Sequence, residues 1–179
     1  MGRVDFKRGR FGIGLETRSI EQGLRGWQSL TGDLVDYWRF LREDSTADPV
    51  YDEGSGAGKV YSGPIPLPCL HVVHLQGDDL AGGTVGFYST DTLTVTVAFR
   101  QFQRTGMYLA DVRDEMYLRD RMTYDRKVFR IVRITALGQI QRADLILQIE
   151  GAQVNADELV DDAQFAAWST DVDNNNTSS

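Results

Sequence analysis

The chain has 179 residues, a formal net charge of −7, one cysteine and two histidines. That is about one domain's worth of sequence, long enough to bury a sizeable core without disulfides or metals. A lone Cys69 excludes an internal disulfide framework or a cysteine-rich zinc site.

Residues 1–18 carry a net charge of +3 and no clear period, and read as an arm. From Ser19, a possible cap, apolar residues Leu24, Trp27, Leu30, Leu34, Tyr37, Trp38 and Leu41 recur at helical spacing. The stripe predicts an amphipathic helix through about Glu43. Gly23, Gly26 and Gly32 each weaken it by about 1 kcal/mol relative to Ala. A break is therefore expected near Ser29–Gly32, with Thr31 or Asp33 capping a second piece. Residues 44–68 hold four glycines and all four prolines, Pro49, Pro64, Pro66 and Pro68. That density argues against helix and central strand. The segment reads as a long loop, and unstructured stretches of that length tend to be functional.

The rest is β-rich. Strands are expected over 69–75, 92–100, 118–124, 127–135 and 143–150. The clearest is 92–100, where Leu93, Val95, Val97 and Phe99 alternate with Thr92, Thr94, Thr96 and Ala98. Residues 107–114 read as one or two helical turns, Asp125-Arg126 as a tight turn and Gly138 as another. Asn155 caps a short helix to about Val160. The sequence thus predicts a mainly β fold: a small barrel or sandwich of five to six strands, with a helical N-terminal extension and a short C-terminal helix. Its divisions are an arm and helix over 1–45, the β domain over 46–168 and a disordered polar tail over 169–179. Leu93, Val95, Val97, Phe99, Phe129, Ile134, Leu145, Leu147 and Ile149 form the expected core.

Local motifs give no catalytic, metal or cofactor site. Gly54-Ser-Gly-Ala-Gly-Lys59 has Glu53 where a phosphate loop needs its first glycine, and Val60 where it needs Ser or Thr. His71 and His74 are three apart, on opposite faces of a strand, and do not share a metal there. Cys69 and His71 are two apart and share a face, but Cys69 sits in apolar sequence and reads as packing. No apolar run reaches the roughly 18 residues of a spanning helix, and the first ten residues lack the apolar centre of a signal peptide. No membrane partner is expected.

Charge is segregated. Residues 100–142 are net +5, while residues 155–179 carry six acids and no base. Arg119 and Arg121 are expected on one strand face, and Arg130 beside Val128 and Val132 on the next. They suit a phosphate backbone, an acidic neighbour, or salt bridges to Asp111, Asp114, Glu115, Asp120 and Asp125. Arg133 belongs to the same stretch. In the 44–68 loop, Lys59 offers one positive charge, with Tyr51 and Tyr61 as apolar anchors. Asp48, Asp52 and Glu53 favour a protein contact there over DNA.

The order from Asp120-Arg-Met-Thr-Tyr-Asp-Arg-Lys-Val-Phe-Arg-Ile-Val-Arg133 through Gly138–Gly151 to Asp157–Phe165 resembles the head-to-tail stopper (head-closure) proteins of long-tailed phages of actinobacteria. The resemblance covers roughly residues 90–165. In that family a strand pair of the type tyrosine-aspartate-turn-valine-phenylalanine-arginine closes a small β-barrel. The resemblance implies a structural, non-enzymatic protein of the virion neck, assembled in the host cytoplasm and needing no cofactor. Its implied partners are copies of itself in a ring, the portal or adaptor ring, tail proteins and the double-stranded DNA of the channel. Two alternatives stand beside it: a tail terminator or other neck-ring protein, and a small β-barrel that binds nucleic acid.

Overall fold

Leu93, Val95 and Val97 are fully buried, and the strand they define is part of a closed six-stranded antiparallel barrel. The computed structural model describes residues 13–45, 59–77, 90–140, 143–159 and 164–165. In chain order the elements are α1 (Ile13–Thr31), β1 (Leu34–Phe40), β2 (Tyr61–Leu75), β3 (Thr92–Ala98), α2 (Phe99–Phe102), α3 (Leu109–Arg113), β4 (Arg121–Tyr124), β5 (Lys127–Ile140), β6 (Ala143–Gln153) and α4 (Ala156–Leu159). The strands follow one another around the barrel as β1–β2–β3–β6–β5–β4, and β4 closes the ring on β1. This is the mainly β barrel, with an N-terminal helix and a short late helix, that the alternation predicts.

Two expectations about the first third are corrected. The helix stops at Thr31, because Gly32 takes the left-handed conformation (φ 66°) and its N–H caps the Gln28 carbonyl at 3.0 Å. The second half of the supposed helical stripe is strand β1, burying Val35 and Tyr37 inside the barrel. Leu34-Val-Asp-Tyr-Trp-Arg-Phe40 is rich in β-formers, and its apolar residues fit either period over so short a run.

The second correction concerns the prolines. Residues 61–68 are not loop but the first half of β2, paired with β1 only. The Cys69 N–H bonds the Asp33 carbonyl on the β1 side at 2.9 Å. Alternation then turns Pro64, Pro66 and Pro68 to the opposite edge, which β3 reaches only from Cys69 onward. A missing N–H costs nothing on an unpaired edge. Helix α1 covers the carbonyls there: Gln28 Nε2 donates to Pro68 O at 3.1 Å and Trp27 Nε1 to Leu70 O at 3.0 Å.

The register shift between Cys69 and His71 also separates that pair. Cys69 is fully buried and His71 exposed, so they do not share a face as simple alternation implies. Burial pushes the Cys69 thiol up to about 12, which leaves it an inert packing group. Gly138 is not a turn but lies within β5, at a register shift opposite Ile146.

Phe129, Ile134, Leu147 and Ile149 join the barrel interior as expected. Phe99 is half-buried because it begins α2 instead of ending β3, and the side chain of Leu145 lies outside the described residues. The crossover after β3 brings Phe102, Met107, Val112 and Tyr117 into the same cluster. A second cluster lies on the outer wall. There Val154, Leu159 and Phe165 cover Trp38, Tyr61 and Val128, with Phe165 edge-on to both Trp38 and Tyr61.

Candidate assembly surface

The charged side chains divide into those the fold consumes and those it presents. Three buried polar centres are consumed. Asp120, in the link before β4, accepts the Tyr37 hydroxyl at 2.5 Å and the Phe40 N–H at 2.8 Å. Burial pushes its carboxyl up to about 6, against those two bonds and the nearby Arg39. Burial and the neighbouring Asp120 likewise hold the Tyr37 phenol well above its ordinary value.

Asp91 stands at the end of the barrel where β2 finishes and β3 and β5 begin. It pairs with Lys127 Nζ and with His74 Nε2 (2.9 Å), and accepts the Gly77 N–H at 3.0 Å. Burial alone would raise its carboxyl; the bonds from Lys127, Gly77 and His74 outweigh that and hold it below its ordinary value. The half-buried ring of His74 packs edge-on against Phe129 and Tyr124.

Arg121 is the third centre. Its guanidinium lies 5.0 Å over the Tyr61 ring and 5.1 Å over Phe165, and 3.7 Å from Glu158. Gln164 completes this clasp: its side-chain amide accepts the Tyr61 N–H at 2.7 Å and donates to the Tyr61 carbonyl at 2.9 Å, as a neighbouring strand would.

Of the residues singled out in the sequence, Tyr61 and Arg121 are therefore buried parts of the outer cluster and offer no contact surface. Tyr51 lies outside the described residues, and Lys59 is half-buried. Arg119 is in the turn before β4, exposed, its guanidinium 5.4 Å from the Phe40 ring centre, and so does not share a strand face with Arg121. Arg130 and Arg133 are both exposed on β5. Val132 is exposed as well, whereas Val128 is covered by the C-terminal segment. The expected salt bridges within the basic stretch are replaced by other partners. Asp111 accepts the Tyr108 N–H at the start of α3, Asp120 serves β1, and Arg100 reaches Glu21 of α1 at 2.7 Å.

Sequence reading missed Asp91, Gln164 and the inward aim of Asp120. No local motif marks them; each is defined by partners from 14 to more than 100 residues away. Among the described residues no cluster of His, Cys, Asp or Glu could hold a metal ion, and no helix is long and apolar enough to cross a membrane.

No family model and no curated protein matches the chain. One solved structure, titled "Virion of native gene transfer agent (GTA) particle", contains a chain that is similar over 68% of this chain and 94% of its own length. The identity is 15% and the TM-score 0.42. A likeness at that level says nothing of what this chain does.

Proposed function

We propose that the chain is a structural protein of a phage virion, one subunit of a ring in the neck that joins the DNA-filled head to the tail and helps close the DNA channel. The observation that carries the reading is the β4–β5 hairpin. Residues 121–130, around the two left-handed turn residues Asp125 and Arg126, are the pair through which the barrel closes onto β1. That is the place the head-closure resemblance assigns to the Tyr124-Asp-Arg-Lys-Val-Phe129 motif. The polar centres support the same reading, since each is spent on fastening one element to another. On this reading the chain catalyses no reaction and takes no cofactor. A barrel that binds single strands would need exposed aromatics beside Arg130 and Arg133. Phe129 is in the interior, Tyr61 is buried and Tyr124 packs against the core.

The test is to label an epitope-tagged chain with gold on intact virions. Label at the head–tail junction is expected, as are full heads that lose DNA and join no tails when the gene is deleted. Label on the capsid or tail tip, or complete virions without the protein, overturns the reading.

A further inference from the structure

The barrel has two stretches where a strand is paired on one side only, and the chain treats them oppositely. Along β2 the free edge carries three alternate prolines and is covered by Trp27, Gln28 and Gln164. Along β5, pairing with β4 ends at Arg130, and beyond it the only printed partner on that side is the bond from Ile131 N to Asp120 O. From residue 132 to 140 the strand pairs with β6 alone. Counting on from Ile131 through the register shift, the ladder turns the amides of Ile134 and Ala136 toward this open edge. The stretch has no proline and no lysine, and Val132, Arg133, Ala136 and Leu137 are exposed. Natural edges are normally blunted by such residues, and one left long, apolar and open is a template for another strand.

We propose that the open edge of β5 accepts an extended segment of a second copy of this chain; this rests on the ring reading above and names the contact that would build the ring. The charge on the edge decides the manner of pairing. Two β5 edges laid against each other would bring Arg130 and Arg133 of both copies together, which like-charge pairing across a ladder disfavours. The matching segment is therefore acidic and belongs to another part of the copy. The sequence supplies such a stretch: Asp44, Asp48, Asp52 and Glu53 occur with no Lys or Arg before Lys59. Two different surfaces meeting head to tail is the interface type that closes into rings.

The full chain is compared by mass photometry and amide exchange with Ala136→Pro, which removes one edge donor, and with Val132→Lys, which adds an edge charge without touching the backbone. Circular dichroism and melting verify that each folds. In the wild type, assembly should slow exchange at Ile134 and Ala136 while leaving the β3 amides unchanged. Each variant should need about tenfold more protein to assemble, equivalent to about 1.4 kcal/mol of contact. Arg133→Glu should weaken assembly similarly, and added salt should slow it. A wild-type chain that stays monomeric, or a folded Val132→Lys chain that assembles like wild type with the Ile134 and Ala136 amides still exchanging, overturns the proposal. Gold label at the neck together with that second result would leave the ring reading standing and remove only this contact.

Discussion

Asp120 shows how one side chain ties distant parts of the chain together. It is 1% exposed, and it holds both Tyr37 and Phe40 of β1 against the link that leads into β4. Its carboxyl sits at about 6 in the folded chain against an ordinary 3.8, so the folded state holds the proton more tightly than the unfolded state does. The stability this gives is fully present below pH 3.8, declines as pH rises toward about 6, and is level above that. Asp120→Asn should lack this decline. In urea unfolding followed from pH 4 to pH 7, the variant should gain on the parent as pH rises. Asp120→Ala should lose stability throughout, since it strands two buried donors at about 1–3 kcal/mol each. Nothing adjacent in sequence separates Asp120 from the neighbouring turn acids, because its desolvation comes from residues some 80 positions earlier.

Among the elements, those legible from sequence are the ones whose burial follows a single period. β3 shows its alternation openly, and Leu147→Ala in the facing strand β6 should cost about 2–5 kcal/mol in chemical denaturation. β1 was hidden because it follows directly on an amphipathic helix, and its Leu34, Tyr37, Trp38 and Leu41 continue the helical count. Trp27, Leu30 and Leu34 are exposed, so part of that stripe reports no core at all. The first half of β2 was hidden because proline is judged by average strands, which have two neighbours, whereas this half has one. The C-terminal clasp was invisible for another reason: Phe165 and Gln164 act on the outer wall, which an inside-against-outside alternation does not describe. Phe165→Ala should cost about 3–5 kcal/mol by urea unfolding, comparable to losing an interior residue.

On the scale of the whole molecule, the segregated charge of the sequence maps onto the two ends of the β4–β6 sequence: exposed Arg130 and Arg133 on β5, and an acidic segment after β6 whose Glu158 faces Arg121. Self-association of the purified chain should slow as ionic strength rises, measured by light scattering at several salt concentrations. The chain's architecture also separates what must be kept from what can vary. Gly77 approaches Thr90 so closely that a side-chain carbon there would lie 2.5 Å from the Thr90 carbonyl oxygen, and Asp91 grips the Gly77 amide. The two ends of the 78–89 connection are therefore fixed as neighbours by the barrel itself, whatever sequence runs between them. Such a socket makes the connection interchangeable. A graft of twice the length should lower unfolding stability by only about 0.6 kcal/mol, so related barrels can diversify at this point while their strands stay in register.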